Sequence, residues 1–285
     1  MSAGTPRGYW RDVASRLWRE RAARIAAAVL AVYVLAAVAA PLIAPFNPLT
    51  TSLLDRLQPP SRAHWLGQDE VGRDILSRII FGARVSLAIG LLSVVFGLAA
   101  GGAMGVLSGV SRRADAILMR LVDIIMAFPF MLRAIAVVAI LGPGFANLFI
   151  AIGLGRIPPF ARLVRAHILT FKEETFVEAA RAVGATDVRV VIRHILPQTT
   201  APIVTYATLE MGTAILAAAA LSFLGLGVNA PTPEWGAIAS SGRQYLRAAP
   251  QLVVFPSLAI FFAVWSFNLL GDALRDAMDP KLRNR

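Results

Sequence analysis

Long runs without a charged residue are the feature that most limits what this chain can fold into. Residues 25–46, 85–111 and 251–271 contain no Asp, Glu, Lys or Arg. About 20 consecutive apolar residues are enough for an α-helix to cross the hydrocarbon core of a membrane. Hydrophobic residues make up 57% of the chain and charged residues only 16%, which is too little polar surface for a soluble protein of this length. The sequence therefore predicts an all-α polytopic membrane protein.

Three further apolar stretches bring the predicted number of membrane spans to six. The third and fourth spans lie between residues 114 and 155 and are separated by the turn at residues 142–144, and the fifth covers about residues 201–228. Basic residues precede the first span and follow the last, and such residues mark the cytoplasmic side. Both termini are therefore predicted to be cytoplasmic. The predicted segments are an N-terminal segment 1–24, a first span with an extracytoplasmic segment 25–84, a membrane domain 85–271 that includes a cytoplasmic loop 156–199, and a tail 272–285.

One amphipathic stripe precedes the second span and has two interpretations. Leu76, Ile79, Ile80 and Ala83 recur at the spacing of one helix face. The stripe is typical of a separate helix that lies along the membrane interface. It equally fits the first turns of the second span. The sequence leaves both interpretations open.

The charge balance and the composition exclude several functions. The formal net charge is +11, but cytoplasmic loops of membrane proteins are basic in any case, so we do not expect a nucleic-acid partner. The chain has no cysteine, which excludes disulfides and thiolate metal sites. No G-x-x-x-x-G-K-[ST] sequence is present, and the three histidines at 64, 167 and 194 are far apart. We therefore expect no cofactor, no metal site and no enzymatic activity from this chain alone.

The cytoplasmic loop has the pattern of an ordered helical hairpin. Thr170 and Glu173 fit a capping box, and Gly184 stands where a helix end favours φ > 0. Thr186 or Asp187 can cap a second short helix. The first helix carries an alanine-rich stripe formed by Phe176, Ala179, Ala180 and Val183, with Glu178 and Arg181 on other faces. The stripe is either an amphipathic face packed on its own protein or, as we favour, a docking surface for another subunit. Glu178 would then brace the loop through Arg181 or contact the rim of the partner.

At these residues the chain resembles a known family. The pattern Glu178-Ala179-Ala180, three residues, glycine and then Leu-Pro at 196–197 is similar to the signature of permease subunits of ATP-binding-cassette (ABC) importers. Six further strings resemble the second, C-type, permease subunit of the dipeptide/oligopeptide/nickel group. They lie in order at residues 40–48, 64–74, 119–129, 221–228, 231–236 and 268–280.

The resemblance implies a type I ABC importer permease fold and a set of partners. The expected partners are a homologous second permease chain, one or two ABC ATPase subunits that bind ATP and Mg²⁺, an extracytoplasmic substrate-binding protein and the lipid bilayer of a bacterial or archaeal plasma membrane. The resemblance implies import of a small solute, with di- or oligopeptides foremost and haem or a nickel complex as alternatives. The residues expected to couple to the ATPase are Phe176, Glu178, Ala179, Ala180, Arg181, Val183 and Gly184. The residues expected to face the binding protein or the outer gate are Asp69, Arg73, Asp74 and Trp235.

Two charged residues depart from the pattern of the family and lie within predicted spans. Arg133 is in the third span and Glu210 is in the fifth, both roughly 15–20 Å from the inner end. An unpaired charge at this depth costs about 3 kcal/mol or more. The two residues either form a buried pair or snorkel, or they line the transport pathway, where Arg133 would contact an anionic group of the substrate.

Two other classes of membrane protein compete with an ABC permease. An ion-coupled secondary transporter would show inverted repeats and several intramembrane carboxylates, whereas only Asp123 and Glu210 are candidates here. A membrane scaffold would also be compatible with a docking loop. The sequence favours the permease over both.

Overall fold

The computed structural model describes residues 6–278, and of residues 6–10 only the backbone. Within that range every regular element is helical apart from one isolated β-bridge between Gln68 and Asp74, which confirms the all-α prediction. The α-helices in chain order are α1 (Pro6–Leu17), α2 (Arg21–Val38), α3 (Ala40–Ile43), α4 (Ile75–Val110), α5 (Arg112–Met126), α6 (Phe130–Leu141), α7 (Phe145–Phe171), α8 (Thr175–Ala182), α9 (Asp187–Val190), α10 (Leu196–Phe223), α11 (Trp235–Gly242) and α12 (Gln251–Met278). A π-turn at Val191–Ile195 joins α9 to α10.

The long helices agree with a polytopic membrane protein. Five helices between residues 6 and 278 are long and apolar enough to cross a membrane: α2, α4, α7, α10 with α9, and α12. The pair α5 and α6 passes the same test as one span, but its two halves meet at an angle of 88°. Counting that broken pair once gives the six spans that the sequence predicts.

The glycines of α4 explain why the broken pair crosses the membrane once. Gly97, Gly101, Gly105 and Gly109 recur every fourth residue and form one face of α4. The nearest side chains of α7 are, in the same order, Arg156, Phe160, Val164 and Ile168, so α4 and α7 run parallel and in close contact. Parallel neighbours require the chain between them to return to the starting end. The α5–α6 pair therefore brings the chain back as a single span.

Helix α4 settles the two interpretations of the stripe at residues 76–83. The helix is continuous from Ile75 to Val110, about 54 Å at the usual rise. The Asp74 carboxylate caps its first turn by accepting from the Ser77 amide at 2.8 Å. The prediction of a separate interfacial helix is wrong. One helix begins after the cap at Asp74, and the stripe forms the first turns of the second span.

Helix α7 shortens the predicted loop. We expected the fourth span to end near residue 155, but α7 continues to Phe171 with Pro158 and Pro159 inside it. The residues buried along its second half, Phe160, Ala161, Val164 and Ile168, keep a helical spacing. The predicted loop 156–199 therefore consists of the second half of α7, a short exposed hairpin and the start of α10.

The two ends of the bundle carry different structures. We call the end that carries α8 and α9 the α8 end. At the opposite end, which we call the α11 end, the Ser241 hydroxyl of α11 donates to Glu70 at 3.3 Å and thereby joins the 44–74 segment to α11. The turn at 142–144 also lies at the α11 end, where the Gly144 amide donates to the Gly227 carbonyl at 3.1 Å.

The terminal segments differ from the sequence boundaries. Helix α1 occupies the middle half of the predicted segment 1–24, and its Val13 packs against Ala277 and Met278 of α12. Helix α12 continues through the predicted tail as far as Met278. Residues 1–5 and 279–285 of the two predicted terminal segments lie outside the described residues.

Candidate functional site

The hairpin at the α8 end begins differently from the sequence expectation. Helix α8 starts at Thr175 with Glu174 at its N-cap position and no side-chain cap. The Thr170 hydroxyl instead donates to the Ala166 carbonyl at 3.0 Å inside α7. The capping box at Thr170 and Glu173 is therefore wrong, because α7 extends through Thr170.

The glycine turn after α8 forms as predicted. Gly184 has φ +85°, a conformation that glycine adopts without strain. Its amide donates to the Arg181 carbonyl at 2.9 Å, and the Ala185 amide donates to the Ala180 carbonyl at 3.1 Å. These two bonds are those of a Schellman C-cap, which fixes the direction in which the chain leaves α8.

The stripe that the sequence indicates as a docking surface is divided between two faces of α8. Phe176 and Ala180 pack with the buried Val177 against a core that includes Ile168 of α7. Ala179 and Val183 are exposed, Val183 by 86%. One edge of the predicted stripe thus anchors the helix to its own chain. We call the other edge, Ala179, Ala182 and Val183 with Glu178 beside them, the exposed α8 face.

A second contact stiffens the hairpin. The Arg181 guanidinium donates to Asp187 Oδ1 at 2.9 Å, which bridges the glycine turn from α8 to α9. The predicted brace between Glu178 and Arg181 is wrong, because Asp187 lies closer to Arg181 across the turn. Thr186 caps α9 by accepting from the Arg189 amide at 3.4 Å, as the sequence suggested. Glu178 is exposed on the outer side.

A buried ion pair joins α7 to α10. Arg156 Nη1 contacts Glu210 Oε2, and the side chains of both residues are only 12% exposed. Glu210 therefore has a partner, but the partner is Arg156 and not Arg133. The sequence predicts Arg156 at the start of the cytoplasmic loop because Arg156 is charged. The apolar spacing that continues through Phe160 and Val164 indicates instead that Arg156 lies inside a helix.

Three neighbours surround this pair. The Thr213 hydroxyl donates to Glu210 Oε2 at 3.0 Å, and the Thr213 side chain is on the exposed side of α10. The ring of Phe130, the first residue of α6, lies 5.2 Å from the Arg156 guanidinium carbon. On the other side Gly97 of α4 lies against Arg156 with no room for a side chain between them.

Arg133 lies on the first turn of α6. It is half-buried, and its Nε is buried without a hydrogen-bond partner among residues 6–278. Because α6 is bent away from α5, the depth of Arg133 cannot be counted along one straight span. Its role as a pathway residue stays a prediction.

The buried charged residues near the end of the 44–74 segment contact one another or the start of α4. Arg73 Nε donates to Asp69 Oδ2 at 2.6 Å, and Arg78 Nε lies 3.4 Å from the same oxygen. Asp74 is 3% exposed, and its Oδ1 lies 2.9 Å from His64 Nδ1. Asp69, Arg73 and Asp74 are thus buried in this conformation, and their role at the binding protein or the outer gate stays a prediction.

Trp235 is also an internal residue. It is fully buried, and its indole Nε1 donates to the Ile79 carbonyl of α4 at 2.9 Å. Glu234 beside it caps α11 by accepting from the Gly236 and Ala237 amides at 2.9 and 2.8 Å. Trp235 therefore fastens α11 to α4, and its role at the binding protein or the outer gate stays a prediction.

Residues 6–278 contain no group of three or more His, Asp or Glu side chains that could hold a metal ion. Most charged groups of the site are paired with one another or exposed, whereas the Nε atoms of Arg133 and Arg156 are buried without a hydrogen-bond partner within residues 6–278. Their arrangement suits the passage and recognition of a charged solute and contact with another protein.

Sequence comparison places the chain among transport proteins. Residues 93–284 match the family described as the inner membrane component of binding-protein-dependent transport systems. Residues 8–60 match the N-terminal transmembrane domain of oligopeptide transport permease C.

Individual relatives and solved structures agree with this placement. The chain is 45% identical over 276 residues to the dipeptide transport system permease protein DppC of Alkalihalophilus pseudofirmus, covering 96% of this chain and 91% of that protein. It is 48% identical over 279 residues to the glutathione transport system permease protein GsiD of Pectobacterium atrosepticum, covering 96% and 92%. An inward-facing structure of the MetNI methionine ABC transporter matches with TM-score 0.58 and 24% identity over 70% of this chain and 96% of that chain. A second crystal form matches with TM-score 0.54 and 21% identity over 69% and 96%, and both matches bear on the fold alone.

Proposed function

The chain belongs to the family of inner membrane components of binding-protein-dependent transport systems, and on that premise we propose that it forms half of the translocation pathway of an ATP-driven peptide importer. It is a multi-pass permease for a small solute of the peptide type. The names of its relatives, dipeptide and glutathione permeases, support short peptides as the substrates. The other half of the pathway is a homologous permease chain.

The energy for transport comes from partner subunits. This chain has no P-loop sequence, so one or two ABC ATPase subunits bind ATP and Mg²⁺. An extracytoplasmic binding protein delivers the solute to the α11 end. The α8 end faces the cytoplasm of a bacterial or archaeal cell, together with both termini, in agreement with the basic residues on that side.

The exposed α8 face is the contact with the ATPase. The observation that carries this proposal is the exposure of Val183: a valine that is 86% exposed lies on a helix whose opposite edge is anchored in the core. Alanines beside it give a smooth surface on which a partner can approach closely. The Schellman turn and the Arg181–Asp187 bridge hold the face in one orientation, so that movement of the ATPase is transmitted to α7 and α10.

A charge at Val183 tests this contact. We expect Val183→Asp to reduce retention of the ATPase on the detergent-purified complex by about tenfold, because a buried carboxylate without a partner weakens an interface strongly. The complex is co-expressed with the second permease, ATPase and binding protein of its own transport system. The matched control is Leu54→Asp, a charge at a residue that is 95% exposed at the α11 end. Equal ATPase retention in the two variants would contradict coupling through the exposed α8 face.

A further inference from the structure

A break in the helical backbone lies beside the buried ion pair. Helix α6 begins at Phe130 after the 88° bend, and Pro129 at its N-cap position supplies no side-chain cap. The first amides of a helix have no partner within it, and they give its N-terminus a partial positive charge. The Phe130 ring, at this N-terminus, is the group that lies over the Arg156 guanidinium.

Two arginines at this place have unused donors. Arg156 Nη1 is occupied by Glu210, but its Nε is buried and has no hydrogen-bond partner within residues 6–278. The Nε of Arg133, in the first turn of α6, is also buried and has no hydrogen-bond partner within residues 6–278. A buried donor without a partner is unfavourable. Arg156 and the N-terminus of α6 that its guanidinium faces through Phe130 therefore offer more donors than the single Glu210 carboxylate accepts.

The pair lies near the middle of both helices that carry it. Arg156 is about 17 Å and 22 Å from the two ends of α7, and Glu210 is about 20 Å from either end of α10. It is also close to an open surface, because the exposed Thr213 reaches the same oxygen of Glu210. A solute that passes along this surface meets the pair at mid-depth.

We propose that the Arg156–Glu210 pair opens to exchange charges with a zwitterionic peptide. The peptide carboxylate takes the place of Glu210 on Arg156, beside the N-terminus of α6, the helix whose first turn carries Arg133. Glu210 turns to the peptide ammonium. This exchange rests on the proposed function and names its substrate class, peptides with both termini free.

The exchange explains how a doubly charged solute passes a low-dielectric region. A buried ion that loses its only partner is strongly destabilised. Here each ion of the protein leaves one partner and gains another, so that no buried charge is left alone at the midpoint. A solute with only one of the two charges leaves either Arg156 or Glu210 unpaired and is disfavoured.

Variants of the pair separate this role from a structural one. The complete complex, with its ATPases and binding protein, is reconstituted in liposomes, and ATP-driven uptake of radiolabelled L-alanyl-L-alanine is measured together with the ATPase rate stimulated by the loaded binding protein. We expect the double variant R156M/E210M and the reversed pair R156E/E210R to lower uptake by about tenfold or more, the effect of losing one charge-assisted hydrogen bond. ATPase stimulation should change by less than about twofold, a difference too small to reflect loss of such a contact. Uptake near the wild-type rate in either double variant would overturn the exchange, since a purely structural buried pair is often replaced by neutral side chains without loss.

A measurement on the wild-type complex keeps the proposal testable even if a variant does not assemble. Uptake of L-alanyl-L-alanine is compared with uptake of its C-terminal amide, each at a concentration that saturates the binding protein by calorimetry. We expect the amide to be transported about tenfold more slowly, because it lacks the carboxylate for Arg156. Equal rates for the two would overturn the exchange while leaving peptide import intact. Absence of uptake of either by the wild-type complex would instead overturn peptide import, and the exchange with it.

Discussion

The glycine face of α4 leads to a prediction that two adjacent residues can test. Gly101 and Gly102 are consecutive in the same helix, so replacing either by alanine gains about the same helix propensity, roughly 1 kcal/mol. A Cβ on Gly101 would lie 2.8 Å from the Phe160 Cβ and 3.1 Å from the Ala161 amide nitrogen of α7. A Cβ on Gly102 would have only the end of Leu98, at 3.8 Å, as its neighbour. Gly101→Ala therefore suffers overlap that Gly102→Ala does not.

The magnitude follows from the difference between the two variants. The propensity gain is common to both and cancels, which leaves the overpacking cost of about 1–3 kcal/mol. Because α7 meets α4 through its backbone at this point, the overlap cannot be relieved by rotating a side chain. For a protein of this size such a difference corresponds to about 2–10 °C in Tm. Gly101→Ala should unfold at the lower temperature.

Thermal unfolding of the detergent-purified complex, followed by size-exclusion chromatography with fluorescence detection, measures the difference. The wild type and both variants are heated in parallel under one detergent condition. Equal Tm values for the two variants would contradict the predicted overlap, because they would mean that α4 and α7 do not meet at Gly101. The contact matters for function, since the same glycine face positions Arg156 opposite Gly97.

Three further changes have defined outcomes. Glu234→Ala leaves two amides at the start of α11 without an acceptor and should lower the free energy of unfolding by about 1–3 kcal/mol in thermal scans; Glu234→Gln, which keeps one acceptor, should lose less, and equal losses would contradict the cap. Asp69→Asn removes the carboxylate that pairs with Arg73 and should cost about 3–5 kcal/mol; limited proteolysis should then cut the 44–74 segment faster, and unchanged cleavage would count against the buried network. Gly184→Val places a β-branched residue at φ +85° at a cost of about 1–2 kcal/mol and should slow ATP-driven uptake; Gly184→Asn tolerates this conformation better, and identical rates for the two variants would exclude a role for the turn.

The membrane spans could be predicted because the signal for them extends over many residues. Runs without charge, such as 85–111, identify a span whatever packs around it. The turn at Gly184 was predictable for a different reason, since one residue type is favoured where a helix end requires φ > 0. Both rules depend on the local chain only.

The residues that were misplaced depend on contacts distant in sequence. Arg156 was assigned to a loop because a charge is costly in a membrane, and only Glu210 on another helix makes its burial possible. Trp235 was predicted to face the binding protein or the outer gate, and the sequence did not indicate that Ile79 and Gly82 of α4 enclose its ring. Half of the stripe on α8 holds the helix against the core of its own chain. The sequence gives the positions of the apolar residues, but it does not show which face of the helix packs against that core.

We propose that this permease moves a peptide with energy from ATP. Uptake of radiolabelled L-alanyl-L-alanine into liposomes that contain the complete complex, with the loaded binding protein outside and ATP inside, tests this claim. We expect accumulation that requires hydrolysable ATP and that persists when ionophores remove the proton and sodium gradients. Uptake that proceeds without ATP and disappears with the ion gradient would contradict the claim and indicate a secondary transporter.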